Sequence, residues 1–452
     1  MNMSYQMALK TFPLILTFGS WMFAGKSPRL KDIVLSILAI LFIFEVVLFF
    51  QNPQELTGNY SFFALSFNRP SIFVGAIMSG ALFMGLFPVR RSLTLNRNFL
   101  LLLGSGVGII LADNLPTFFF FYFLQRGVPA WNFLKNIRNG DAQTGSTYVF
   151  QHLICLLCAV YVMAQAFSQG ILLTPLPEFP STFFTVDILI VSIAIIFQTH
   201  GIFPFHSWVH DIVDNLRWYE ISCIFLPRAG VLLFVQLMLP HFGSDPDQFK
   251  IALLSLTIFS SIYWSFRGIY EQNVQKEVTY FYIAQASLIM AGLQANEVAL
   301  RGSYLHMMVI SFSGTALWSI LSYIQNHVSL KKHQSYYGLA QDFPKLATIF
   351  CVFGFCLIGV PLMASFVSED LVINGLLEQQ PYLGLGHIFA TCLNGILFFL
   401  LFSKLFLGNN PTRGKVKMMD MSLLEMSPYM IALMVLFLIG VMPFLFLEKI
   451  TW

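Results

Sequence analysis

The sequence has little charge. Only 10% of its 452 residues are Asp, Glu, Lys or Arg, whereas a soluble domain carries about 25%. Hydrophobic residues make up 57% of the chain, and its mean hydropathy is +0.72. Apolar runs recur from end to end and leave no stretch long enough for a soluble domain. The composition therefore predicts a polytopic helical membrane protein.

Motifs for catalysis are also missing. The sequence has no cofactor-binding fingerprint, no phosphate-binding loop and no metal-ligand spacing. We therefore expect no cofactor, no metal, no nucleic-acid partner and no catalysis by this chain alone. Cys155 and Cys158 form a CxxC pair, but both lie in the apolar stretch "HLICLLCAVYVM". We expect buried apolar thiols there, without redox or metal chemistry.

What the sequence does contain is a long series of apolar segments. A membrane-spanning helix needs about 20 mostly apolar residues. The first run lacks a small-residue cleavage site, which predicts a retained first helix. About fourteen segments meet the length criterion: 9–25, 31–50, 60–87, 98–113, 115–134, 148–173, 181–204, 219–239, 249–266, 277–295, 302–326, 345–366, 382–407 and 425–447.

The positive charges alternate between successive loops. Loops after odd-numbered segments hold most of the Lys and Arg residues, with Arg126 counted among them. The remaining loops and the two termini hold only Lys10, Lys250, Arg301 and Lys449. Because cytoplasmic loops carry the excess of Lys and Arg, this pattern supports the count of segments. It predicts that both termini lie on the outer side of the membrane.

A few ionisable residues remain inside or at the ends of apolar segments, where a charge costs at least ~2.5–3.5 kcal/mol at a helix centre. Arg228 follows Pro227 and stays protonated. A permanently charged arginine beside a proline in an apolar segment predicts either a polar cavity at a helix break or a structural ion pair between helices. His306 taken alone fits a hydrogen-bonded core histidine equally well. The candidates are Glu45, Asp113, Asp187, His200, His206, Arg228, His306, Glu369, Asp370 and His387.

Segments 7 and 12 share an interrupted pattern. The first ends in "GIFPFHSWVHD" and the second in "IGVPLMASFVSED", so each has Gly and Pro, then aromatic residues, then acids. In the predicted topology the two segments run in opposite directions. Interrupted helices at matching positions of two oppositely oriented halves are typical of inverted-repeat transporters.

These motifs resemble the sequence motifs of a known protein family. "FPFHSWVHD" is similar to the P-F-H-S-W-L-P-D signature of antiporter-like, proton-conducting membrane subunits. Such subunits occur in respiratory complex I, membrane-bound hydrogenases, Mrp-type cation/proton antiporters and a two-part inorganic-carbon uptake complex. "LPRAGVLLF", "NVQKEVTYFYIAQASLIMAGL", "LHMMVISFSGTALW" and "GVPLMASFVSED" match further motifs in order. The chain is identified over about residues 60–410 as a divergent member.

The resemblance implies an all-α fold of about fourteen transmembrane helices, with two inverted repeats of five helices in which helices 7 and 12 are broken. It divides the chain into helices 1–3 (1–97), a first repeat (98–239), a second repeat (249–407) and a last helix (425–452). It also implies a buried chain of titratable residues that passes protons. The residues at matching or nearby positions are His306, Glu369, Arg228, His200, His206, Asp211 and Lys276.

The chain departs from the family pattern mostly in its first repeat. The glutamate of helix 5 falls near Phe123–Gln125, where no acid exists, and the lysine of helix 7 falls on Thr199. Glu369 keeps the acid of helix 12, whereas Ile310 and Gly314 replace a histidine and a lysine of helix 11. The second repeat therefore keeps more of the expected relay than the first.

Two functions follow as hypotheses. The first is a proton-translocating, antiporter-like subunit of a multisubunit complex, such as one resembling NADH:quinone oxidoreductase, that moves protons or exchanges them for another cation. The alternative is a membrane-anchoring or energy-coupling subunit of an inorganic-carbon (CO2/bicarbonate) uptake complex with a soluble zinc-dependent partner. Both predict further subunits as partners, a lipid environment and, as the location, the bacterial inner membrane.

Overall fold

The computed structural model describes most of the chain. The described residues are 11, 13–15, 17–19, 30–51, 65–66, 69–90, 96–138, 145–241, 248–328, 330, 336–408, 420–444 and 446–447. Most of the first predicted segment lies outside these residues.

The described part of the chain is almost entirely helical. Its one β-type pairing is an isolated bridge between Leu65 and Ala112. The helices are α1 (Leu30–Gln51), α2 (Arg69–Val89), α3 (Arg97–Leu111), α4 (Leu115–Arg138), α5 (Ser146–Ser168), α6 (Val186–His200), α7 (Trp208–Asn215), α8 (Trp218–Phe225), α9 (Ala229–Leu233), α10 (Gln248–Ile269), α11 (Val274–Leu293), α12 (Glu297–His327), α13 (Pro344–Leu357), α14 (Ala364–Gln379), α15 (Pro381–Phe406) and α16 (Leu423–Val441).

These helices confirm the all-α membrane fold. Each predicted segment from the second to the fourteenth overlaps at least one of them. Within the described residues, seven helical stretches are long and apolar enough to cross a bilayer, and α3, α6 and α13 are shorter apolar helices. The chain is therefore an integral membrane protein, while the count of fourteen spans stays a prediction.

The chain forms two compact units. The first consists of residues 1–82 and 94–242, and the second of residues 83–93 and 243–452. In the first unit, α3 and α4 are separated by a short turn that carries Asp113 and Asn114. The Asn114 side chain accepts a hydrogen bond from the Thr117 backbone N–H at 3.0 Å, which caps the start of α4. The two closely spaced predicted segments are therefore two helices.

Polar contacts join helices inside the second unit. The Ser265 hydroxyl of α10 donates to the Asn394 side-chain oxygen of α15 at 2.6 Å, and both residues are fully buried. At the start of α16, Ser422 and Glu425 form a reciprocal capping box. Such pairs satisfy polar groups that lipid and apolar side chains leave without partners.

Both predicted helix breaks are present. Segment 7 consists of α6, which ends at His200, and α7, which begins at Trp208. Segment 12 consists of α13, which ends at Leu357, and α14, which begins at Ala364. The chain leaves α6 through Gly201 (φ 67°) and passes through Gly359 (φ 73°) between α13 and α14. Glycine adopts this left-handed conformation at no steric cost, and so two glycines allow the breaks.

Segment 8 is broken as well. α8 stops before Pro227, Arg228 lies in the left-handed region (φ 50°), and α9 begins at Ala229. Residues Phe234–Met238 then form a π-helical turn. Proline removes a backbone N–H and clashes with the preceding turn, which explains a break at this point.

Candidate functional site

In the second unit, a carboxylate lies at the break between α13 and α14. Glu369 is only 6% exposed. Its side chain occupies the space where a Cβ on Gly359 would lie. Its Oε1 atom has no hydrogen-bond partner among the described residues. The break thus holds a buried acid with an oxygen free to receive a proton or a water molecule.

His306 forms a hydrogen bond with the residue that precedes this acid in the sequence. It is on α12, is 1% exposed, and its Nδ1 lies 3.1 Å from the Ser368 hydroxyl. Ser368 is the residue before Glu369 and donates to the Ser365 carbonyl at 2.8 Å. The structure therefore places His306 against Ser368, the residue that precedes Glu369 on α14, and both His306 and Glu369 are buried.

A side-chain amide of α11 caps the end of α13 at the break. The Gln285 side-chain N–H donates to the Leu357 carbonyl at the end of α13, at 2.6 Å. A helix end inside a membrane needs such a partner, because its last carbonyl groups have none within the helix. Lys276, another predicted site residue, is half-buried in the first turn of α11, about 13 Å along the helix axis from Gln285.

In the first unit, the break after α6 gathers positive charge. His200 is buried, and its Nδ1 lies 3.0 Å from the Thr199 hydroxyl. Gly230 of α9 packs so closely on Thr199 and His200 that a Cβ there would collide with both side chains. Arg228, two residues before this glycine, is 1% exposed. His200 and Arg228, both among the predicted site residues, therefore lie in the same region of the first unit.

A second arginine, Arg126, lies in the same region of the first unit. The sequence analysis counted it as a loop cation, but Arg126 lies roughly midway along α4 and is 2% exposed. Its Nη2 donates to the Thr199 carbonyl at 3.4 Å. Its guanidinium carbon lies 5.2 Å from the centre of the Tyr122 ring and 4.9 Å from that of the Trp208 ring. The sequence held a signal for this placement, because Arg126 lies within the predicted segment 115–134.

The other two predicted residues of the signature make local contacts. His206 Nδ1 lies 3.1 Å from the Pro204 carbonyl oxygen. The Asp211 carboxylate accepts the Tyr148 backbone N–H at 2.8 Å. Tyr148 is in the first turn of α5. A carboxylate at this place pairs with a backbone N–H that has no partner within the helix, and the positive end of the helix dipole stabilises its charge.

Several other charges differ from the sequence-based expectation. Asp187, predicted to lie within an apolar segment, is exposed and accepts a hydrogen bond from the Tyr161 hydroxyl. Lys250, predicted to lie in a loop, is buried near the start of α10. Glu45 is buried as expected and accepts a hydrogen bond from Ser79 at 2.7 Å. Asp187 and Lys250 are placed by helix orientation, which the sequence pattern did not reveal.

An ion pair in the second unit was not foreseen. Lys404 Nζ of α15 lies 3.0 Å from Glu277 Oε2 of α11, and the Glu277 side chain is 3% exposed. The same ammonium group donates to the carbonyl groups of Glu271 and Gln272, both at 3.1 Å. The pair ties α15 to the start of α11.

The family assignment agrees with this arrangement of broken helices. The family described as "NADH:quinone oxidoreductase/Mrp antiporter, TM" matches residues 153–394, more than half of the chain. The chain belongs to this antiporter-like family. The match spans both breaks, the signature "FPFHSWVHD" and the pair His306 and Glu369.

Curated members of the antiporter-like family match with low identity. NADH-quinone oxidoreductase subunit M of Rickettsia felis is 23% identical over 304 residues, which cover 65% of this chain and 60% of the relative. NADH-quinone oxidoreductase subunit N 1 of Aquifex aeolicus is 25% identical over 232 residues, which cover 50% of this chain and 49% of the relative. The matches therefore span about half to three fifths of these relatives.

Solved structures of antiporter-like proteins share the fold. The Mrp complex from a Dietzia species contains a chain with a TM-score of 0.83 at 12% identity, covering 99% of this chain and 96% of that one. Respiratory complex I from Thermus thermophilus contains one with a TM-score of 0.79 at 16% identity, covering 97% of each chain. At such identities the likeness shows the fold alone.

Proposed function

We propose that this chain is a proton-translocating subunit of a multisubunit membrane complex, with its proton path in the second unit. The observation that carries the proposal is the Glu369 carboxylate, which is buried at the break between α13 and α14. Its Oε1 atom has no hydrogen-bond partner among the described residues. A fixed structural acid would have both oxygens paired, since buried polar groups are nearly always hydrogen-bonded.

The chemistry of a relay explains this arrangement. Burial makes the ionised carboxylate costly, and so a nearby change in charge decides whether Glu369 holds a proton. His306 can take or give a proton on either ring nitrogen. Ser368, bonded to His306 and adjacent to Glu369, has a hydroxyl that can donate and accept at once. In this proposal His306 exchanges a proton with Ser368 directly, and water carries it between Ser368 and Glu369.

The remaining predicted residues have supporting roles in this proposal. Lys276, half-buried in the first turn of α11, supplies a titratable group at the end of the path. Arg228 and His200 set the local charge in the first unit, because an arginine keeps its proton. His206 and Asp211 stabilise the structure around the first break.

The test is proton transport by the assembled complex. The complex purified with its native partners is reconstituted into vesicles, and proton movement is followed with a pH-sensitive dye. Glu369→Gln should abolish proton movement while leaving assembly intact. Asp370→Asn is the matched control, because Asp370 is the neighbouring acid and is exposed. Full transport by Glu369→Gln would remove this residue from the path.

A second function is favoured by the first unit. Gln125 stands where the family resemblance places an acid, and its side chain donates to the Cys223 carbonyl at 2.9 Å. Thr199 stands where it places a lysine. A chain whose first repeat lacks the expected acid and lysine of the proton relay could serve as an anchoring or energy-coupling subunit, including that of an inorganic-carbon uptake complex. Co-purification of one large zinc-containing soluble partner, without flavin or iron–sulfur subunits, would favour this function.

The proposed location is the bacterial plasma membrane, with both termini on the outer side. The alternation of Lys and Arg between loops supports this orientation. To test this orientation, single cysteines are placed in the loops of the protein and labelled in intact cells. Outer-side positions should react with a membrane-impermeant maleimide and inner-side positions should not.

A further inference from the structure

Arg126 carries unused hydrogen-bond donors in the interior of the first unit. A guanidinium group has five N–H donors. Among the described residues, Nη2 of Arg126 reaches the Thr199 carbonyl, while Nε and Nη1 have no partner. The rings of Tyr122 and Trp208 attract the charge, but they accept no hydrogen bond from these two nitrogens.

The positive charge is also poorly balanced. Among the described residues no carboxylate is paired with Arg126, and its one hydrogen-bond acceptor is a carbonyl at the end of α6. The carboxyl end of a helix carries about half a negative elementary charge, which offsets only part of one guanidinium. Arg228 is a second buried arginine, two residues before Gly230, which packs on Thr199 and His200. The site is therefore built to attract negative charge.

We propose that the first unit binds a small monovalent anion beside Arg126, at the carboxyl end of α6. The anion accepts a hydrogen bond from Nε–H or from Nη1–H of Arg126, which point to different sides of the guanidinium, and it lies in the positive field of Arg228. The inference is independent of the proton path proposed above, which lies in the second unit. The chemistry fits chloride and bicarbonate alike, since both carry one negative charge and accept several hydrogen bonds.

A cavity lies in the same part of the first unit. It has a volume of about 250 Å³ and is lined by residues of α5, of α6 and of the turn after α6, among them Cys155, Gln198 and Pro204. Gln198 precedes Thr199, and its side-chain nitrogen has no partner among the described residues. Its oxygen accepts the Tyr122 hydroxyl at 2.6 Å, and the Tyr122 ring lies against Arg126. Gln198 therefore lines the cavity and contacts Tyr122, whose ring lies against Arg126.

The test is direct binding of chloride. Radioactive chloride is titrated against the full-length chain, purified in detergent with its native partners in a gluconate buffer. We expect one saturable site per chain. Arg126→Gln should lose this binding, and Arg126→Lys, which keeps the charge but not the planar donors, should weaken it by about tenfold. Arg267→Gln is the matched control, because Arg267 is an exposed arginine on α10, and it should bind chloride as the wild type does.

The outcomes separate the possibilities. Displacement of chloride by bicarbonate would show that the site accepts either ion, whereas no displacement would assign it to halides. The absence of saturable binding in the wild type would overturn the proposal, and so would equal binding by the wild type and Arg126→Gln. If Arg126→Gln fails to fold, Arg126→Lys decides, and an unchanged affinity in that variant overturns the proposal.

Discussion

The carboxylate of Glu369 fills the space that a side chain on Gly359 would occupy. Gly359 also lies in the left-handed region, with φ 73°. The residue that lets the chain pass through the helix break is thus the residue that makes room for the buried acid. Backbone conformation and acid placement at this break depend on each other.

Gly359→Ala should therefore disturb both the backbone conformation of the break and the position of the Glu369 carboxylate. The left-handed conformation costs an L-residue roughly 1–2 kcal/mol, and the new methyl group must displace the carboxylate. We expect lower stability in a denaturant titration in mixed micelles and a loss of proton transport in vesicles. Gly395→Ala is the control, because nothing lies within 4 Å of a Cβ at that helical position. Equal behaviour of the two variants would contradict the close contact.

His306→Gln should reduce proton transport by roughly 10²-fold or more, the usual contribution of a positioned acid–base group. Ser368→Ala should show a smaller loss, because it removes the hydroxyl that lies 3.1 Å from His306 Nδ1. His327→Gln, at the exposed end of the same helix, should transport protons normally. Wild-type transport by His306→Gln would leave His306 as a core histidine with a structural hydrogen bond.

Gln285→Leu should destabilise the break directly. The variant leaves the Leu357 carbonyl without its 2.6 Å partner, and an unsatisfied buried group costs about 1–3 kcal/mol. The free energy of unfolding in mixed micelles measures the loss. Gln341→Leu, at an exposed position, should change it little, and a similar loss in both variants would argue against a specific role for the Gln285 amide.

Asp211→Ala tests a structural role against a role in the proton path. Loss of the cap on the first turn of α5 should cost about 1 kcal/mol of stability, with proton transport per folded complex unchanged. Asp214→Ala, an exposed acid on the same short helix, should change neither quantity. If Asp211→Ala stops transport in a stable complex, Asp211 belongs to the path.

Lys404→Met should be among the most destabilising single changes, because it leaves Glu277 buried without its ion-pair partner. Removing one member of a buried pair costs about 3–5 kcal/mol. The double variant Lys404→Met with Glu277→Gln should recover much of this loss in the same unfolding assay. If the two losses simply added, the 3.0 Å contact would contribute no coupling.

The sequence predicted the fold well because apolar length is a strong signal in membranes. The helix breaks were also predictable, since Gly201, Gly359 and Pro227 interrupt the apolar runs at visible places. Burial of His306 and Glu369 followed from the family motifs. The contact of His306 with Ser368 could not be predicted, because it depends on how α12 packs against α14.

Helix orientation explains what the sequence analysis missed. Arg126 was assigned to a loop, yet α4 continues to Arg138 and turns this guanidinium into the interior. Asp187 is exposed for the opposite reason, since its face of α6 points away from the core. A pattern of apolar residues fixes where a helix runs, but in an apolar solvent it says little about which side faces the protein.

Arg228 combines two demands that conflict. Its backbone adopts a left-handed conformation (φ 50°) that glycine would accept without strain, and its side chain buries a permanent charge. Arg228→Gly would relieve both penalties but would empty the space that this buried side chain fills, and a cavity destabilises the fold in turn. Stability alone therefore does not decide which residue stands here, and an engineered thermostable variant should leave the arginine untouched.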